Sequence, residues 1–157
     1  MRSYLSSSCA AALLGLSVFT PPLAHAQGVS MFAVLVGGNE ISAGGAANAG
    51  DQDGFGTVSI IVNPTPKDPN NEQLCFGITV RGIDHPTAAH IHIAKAGVNG
   101  PIRVTLTAPA TGNPGTSSGC KTASNAVVNG LISRPSNFYV NVHTTVFSSG
   151  ALRGQLF

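Results

Sequence analysis

Residues Ala88–Leu106 read AAHIHIAKAGVNGPIRVTL, and the alternation inside this stretch decides the fold. Ala89, Ile91 and Ile93 alternate with His90 and His92. Side chains on a β-strand leave opposite faces in turn, so the isoleucines share one face and the imidazoles the other. The isoleucines take the core. Gly97-Val98-Asn99-Gly100-Pro101 is made of turn formers and reverses the chain. Ile102, Val104 and Leu106 then carry the apolar face along the next strand, opposite Arg103, Thr105 and Thr107.

The same short-period pattern extends outward in both directions. Strands are predicted at Ser30–Val36, Thr57–Val62 and Gln73–Arg81, the last with Leu74, Phe76, Ile78 and Val80 on one face and Cys75, Gly77, Thr79 and Arg81 on the other. A long glycine-rich segment, Gly37–Gly56, separates the first two. It contains Asp51-Gln52-Asp53-Gly54, which reads as a turn, because a calcium loop of the EF-hand type needs a third acid and a distal glutamate. Asn63–Asn71 is a proline-punctuated connection. Pro109–Ser124 reads as a polar loop, and Asn125–Ser133 as either a short helix or a strand. Asn137–Thr145 alternates again, with Phe138, Val140 and Val142 inward and Tyr139, Asn141 and His143 outward. Ser148-Ser149-Gly150 turns the chain into a last strand over Ala151–Phe157. The expected fold is all-β, a Greek-key-like antiparallel β-sandwich with at most one short helix.

The N-terminus has the form of an export signal. Arg2 precedes the apolar run Ala10–Phe19, and Ala24-His25-Ala26 has small residues where a signal peptidase cuts. Cleavage is expected after Ala26, dividing the chain into a signal peptide over 1–26 and one domain over 27–157. The alternative is an N-terminal anchor, but the apolar run is short for a bilayer and Pro21 and Pro22 break a helix before the cut. The remaining domain of about 131 residues is long enough for one real core. Charged residues are only 9% of the chain and form no basic stripe, which excludes an electrostatic nucleic-acid binder. No second apolar segment could span a membrane. The product is expected in the periplasm or secreted, with an extracytoplasmic protein or small ligand as partner.

Two cysteines follow the signal, Cys75 and Cys120. In an exported chain an even pair reads as one disulfide, the alternative being two free thiols. The bridge would close a loop of roughly 46 residues, worth about 4 kcal/mol at most in the chain-entropy model. C-x-x-C spacing and a phosphate loop are missing from the sequence, and no serine reads as the nucleophile of a strand-to-helix elbow. Glu40, Asp51, Asp53, Asp68, Glu72 and Asp84 are the only acids, and most fall in loops.

Histidine is therefore the residue type with chemistry to offer. His90 and His92 leave one strand face in parallel, and His143 leaves the outward face of another strand beside Tyr139 and Asn141. If those strands are neighbours, three imidazoles converge, a ligand set that suits copper or zinc. The plainer reading is that the histidines are hydrogen-bonded structural residues. Arg103, Tyr139, Asn141 and Arg153 form a candidate polar recognition face. Its two arginines either receive an anion or bond loop carbonyls.

AAHIHIAKAGVNGPIRVTL together with NFYVNVHTTVFSSGALRGQL (Asn137–Leu156) resembles the chordin-type (CHRD) domain in its small exported bacterial form. LVGGNEIS at Leu35–Ser42 is similar to that family's early L-x-G-x-x-E-x-P segment, DGFGTVSIIV to its G-T-A strand, and LCFGITVRGID to its C-x-x-x-x-V-x-G-L strand. Ser42 stands in place of the proline, Ala94 in place of a glycine after H-I-H-x, and Ala151 in place of a glutamate before the last strand. The resemblance implies an extracellular module and supplies no catalytic residues. A weaker similarity, in His90, His92, His143, Arg153 and a single disulfide, is to the copper–zinc superoxide dismutases. The bridging histidine and zinc loop of those enzymes have no counterpart here. Two readings follow. One is a non-catalytic extracytoplasmic binding or structural module. The other is a copper-binding protein, redox-active at the metal, that uses His90, His92 and His143.

Overall fold

The structure, a computed structural model, describes residues 28–62 and 70–157. The predicted signal peptide and most of the Asn63–Asn71 connection lie outside the described residues. Eight antiparallel strands make one sheet: β1 (Val29–Val36), β2 (Phe55–Val62), β3 (Asn71–Arg81), β4 (Pro86–Ile93), β5 (Ile102–Leu106), β6 (Gly115–Ser124), β7 (Phe138–Thr144) and β8 (Leu152–Gln155). Their order is β5-β4-β7-β8-β1-β2-β3-β6. The pairings β4–β7, β1–β8 and β3–β6 join strands distant in sequence, which makes the topology Greek-key-like.

The sheet curls until its two edges nearly meet. Ser117 Oγ on β6 donates to Thr107 O just beyond β5 at 2.8 Å, and Ala110 N donates to Thr116 O at 3.3 Å. The curled sheet encloses the apolar alternates of its strands, among them Leu35, Ile60, Leu74, Ile78, Ile91 and Val140, while β6 contributes Ala123 alone. The helix α1 (Asn125–Ser133) turns Val128 and Leu131 into the core and begins at Ser124, whose hydroxyl accepts from Val127 N. Serine at this position satisfies one of the N–H groups that a helix start leaves open. The Asn125–Ser133 ambiguity thus resolves as helix.

Two expectations are corrected. Pro109–Ser124 is not wholly a loop, since β6 pairs with β3 from Asn71↔Ser124 to Val80↔Gly115. Its sequence GTSSGCKTAS carries no apolar alternation because it is an edge strand, largely exposed on both faces. Ile102 is not in the core but 49% exposed. The β4–β5 register passes from Ile91↔Val104 to His92↔Ile102, so Arg103 is the extra residue of a β-bulge and Ile102 is turned to the outer face. The Cys75–Cys120 disulfide is present and joins directly opposed residues of β3 and β6.

Strand β7 is the best-covered strand, with six of its seven residues buried. Phe138, Val140 and Val142 face the core as the alternation requires. Tyr139 and Asn141 leave the opposite face, yet they are buried too. A roof closes over that face, made of the turn after β4 and the segment after β1. Asn99 Nδ2 links the two by donating to Ile41 O and Ser42 O at 2.9 and 3.0 Å. The Gly37–Gly56 segment is thereby fixed against the body of the molecule. Asp51 N donates to Ala151 O at 2.8 Å, and Asp51 Oδ1 accepts from Asp53 N in the expected turn.

Candidate metal centre

Strands β4 and β7 are neighbours, with Ala88↔His143, His90↔Asn141 and His92↔Tyr139 in register. That register decides what the outer face can do. It sets His90 beside His143 on the diagonal, with ring centroids 5.0 Å apart, and His90 lies 5.6 Å from His92 along its own strand. His90, His92 and His143 each offer one ring nitrogen within 4.8 Å of the others.

The hydrogen bonds assign the hydrogens. A backbone carbonyl only accepts, so a ring nitrogen facing one must donate. His92 Nδ1 donates to Gly100 O at 2.8 Å, and His143 Nδ1 donates to Ser148 O at 2.9 Å. In the neutral rings this leaves the Nε2 lone pairs of His92 and His143 pointing away from the backbone. His143 Nε2 lies 3.1 Å from His90 Nδ1. Without a metal ion, His90 Nδ1–H donates across that gap. A carbonyl on the far nitrogen is also the arrangement that orients an imidazole for a metal and raises its basicity.

The electrostatics keep the lone pairs available. Burial, then the His143 and His92 rings, pushes His90 down to about 4. Burial lowers His92 as well, against the Gly100 and Asn141 oxygens, which accept from the ring and favour its charged form. Both rings are therefore neutral at physiological pH.

One pair of donors stands at the spacing that a shared transition-metal ion would set. Two nitrogens about 2.0–2.1 Å from one ion stand about 2.9 Å apart at a right angle and about 3.3 Å apart at the tetrahedral angle. The His90–His143 separation of 3.1 Å falls between these values. The widest separation in the group must close by roughly 1.5 Å to match the tetrahedral edge.

The other candidate residues brace this group. His92 is 8% exposed and stacks on Tyr139, with centroids 4.7 Å apart and planes 6° from parallel. Arg153, 2% exposed, lies on the far side of Tyr139 with its guanidinium carbon 3.5 Å from the ring centre. Its nitrogens donate to Asn99 Oδ1 at 3.0 Å, Val98 O at 2.7 Å and Lys95 O at 3.4 Å. Arg153 thus bonds loop carbonyls and pins the roof. Tyr139 OH accepts from Gly100 N at 3.3 Å, so the Gly100 peptide is held at both ends. Glycine is required there, because a Cβ would stand 2.0 Å from Ile93 O. Arg103 is exposed in the β5 bulge, away from this stack.

Sequence reasoning passed over Glu40. It is 2% exposed, and its Oε1 has no hydrogen-bond partner. Burial raises its carboxyl to about 7, against the opposing influence of the Arg153 charge and the Asn141 amide. Asn141 Oδ1 in turn stands 3.1 Å from His92 Nε2.

Residues 31–156 match the family model of the CHRD domain, and the chain belongs to that family. No curated protein and no solved structure matches the chain.

Proposed function

We propose that this CHRD-domain protein is an extracytoplasmic, non-catalytic binding module whose ligand is a single copper ion held by His90, His92 and His143. One observation carries the reading: three ring nitrogens converge within 4.8 Å, two of the rings being tied to backbone carbonyls through their other nitrogen. An all-imidazole set suits copper and zinc, and among first-row divalent ions copper(II) binds such a set most tightly. Binding is favoured over catalysis by the position of Arg153. Its guanidinium is taken up by Asn99 and two carbonyls, and so is not presented to an anion beside the metal. The disulfide supports an oxidising compartment. Among the described residues, no helix is long and apolar enough to cross a membrane.

Copper titration of the pure domain, followed by metal analysis after dialysis, tests the proposal. The wild-type protein is expected to retain one copper ion per chain and to prefer it to zinc. His90→Ala is the variant of choice, because His90 is only half-buried and no backbone carbonyl depends on it. It should lose more than about a hundredfold in affinity, beyond what loss of an outer partner of a metal ligand costs. Equal, weak binding by both proteins would refute the site.

A further inference from the structure

Glu40 and Asn141 present a contradiction that chemistry can resolve. His92 Nδ1 must carry a hydrogen, since it faces Gly100 O. In the neutral ring Nε2 is then an acceptor, and so is the Asn141 Oδ1 that faces it at 3.1 Å. Two acceptors face each other. The same amide also acts on Glu40, where it favours the charged carboxylate. That carboxyl is 2% exposed with one oxygen unpartnered, an expensive state for a full negative charge.

The surroundings of Glu40 offer little else to neutralise it. Arg153 on β8 is the charged group it feels, but Asn99, Val98 and Lys95 take the Arg153 hydrogen bonds described above. The Ile41 backbone N–H, from its own segment, also favours the charged carboxylate. The turn before β8 and the loop before β2 bring Gly150 and Gly50 close to it. A Cβ on Gly150 would lie 2.4 Å from Glu40 Oε1.

We propose that Glu40 is coupled to metal occupancy of the three histidines through a half-turn of the Asn141 amide. With the histidines empty, Glu40 is a neutral acid and donates to Asn141 Oδ1, while Asn141 Nδ2 donates to the His92 Nε2 lone pair. A metal ion on His92 Nε2 replaces that donor. The amide turns, Nδ2 donates to Glu40, and the carboxyl proton leaves to the solvent. The amide orientation found here, oxygen towards His92, is the one suited to a cation at Nε2. Burial, which lifts Glu40 to about 7, makes the neutral acid the main form below that pH. Glu40 is a positioning residue in this scheme and touches no metal. The inference rests on the metal reading above.

Calorimetric titration with copper(II) in two buffers of different ionisation enthalpy counts the protons released. At pH 6 the wild-type protein should release close to one proton more than Glu40→Gln, and at pH 8 the excess should nearly vanish. Infrared difference spectra of the wild-type protein alone give a readout that needs no variant. The carbonyl stretch of a protonated carboxylic acid should be lost when copper is added at pH 6. Copper binding with equal proton release in both proteins, or with no such stretch lost, would overturn the coupling and leave the metal site standing. Failure of the wild-type protein to bind copper would overturn both.

Discussion

His90 and Glu40 place opposite demands on the stability of the metal-free protein. His90 is held near 4 in the fold, below its ordinary 6.5, so the unfolded chain takes up the proton first as the pH falls. Stability is lost from about 6.5 downwards towards 4. Glu40 is held near 7, above its ordinary 4.5, so its contribution is fully present below 4.5 and is lost as the pH rises through 7. Between pH 4.5 and 6.5 the two slopes oppose each other. Urea unfolding at pH 4.5, 6 and 8 separates them. Glu40→Gln should gain on the wild-type protein as the pH rises, by up to about 3 kcal/mol. His90→Asn should gain as the pH falls. At this scale the three histidines were readable, because strand alternation sets His90 and His92 on one face and sets His143 on a second strand. Glu40 was not readable from periodicity, since it sits among glycines with no repeat to place it. The one signal for it was its match to the glutamate of the family's L-x-G-x-x-E segment.

Among the elements, β3 and β4 followed from their alternating apolar residues and β6 did not. An edge strand of Gly, Ser and Thr buries almost nothing and leaves no hydrophobic period to read. Its pairing and the disulfide are what identify it. Removing the bridge, as Cys75→Ser with Cys120→Ser, should cost about 2–4 kcal/mol in chemical denaturation. The loss should not alter copper affinity, since β3 and β6 contribute no histidine to the site. The β5 bulge was equally hidden, because Ile102 fits the apolar alternation and only the register with β4 turns it outward. Gly150, in the turn between β7 and β8, has φ +141° and no room for a Cβ against Glu40. Gly150→Ala should therefore lower the thermal midpoint clearly, and it should weaken copper binding through the displaced carboxyl.

Across the whole molecule, the curled sheet separates two jobs on a single strand. Ile91 is fully buried in the core between His90 and His92 on the outside. Ile91→Ala should cost about 2–5 kcal/mol of stability, measured by denaturation, while the folded fraction keeps its metal ligands. The roof over the outer face depends on the Arg153–Asn99 link, which joins the last strand to the turn after β4 and the segment after β1. No local pattern announces such a link, because its members are 54 and 58 residues apart. The all-β class, the single disulfide and the family were legible in the sequence. The closure of the roof needed the fold. X-ray absorption at the copper edge of the loaded protein tests the central claim most directly. Imidazole scattering from three nitrogens at about 2 Å, reduced by one ring in His90→Ala, is the predicted result. A copper shell of oxygen with one imidazole or none, unchanged in the variant, would contradict it.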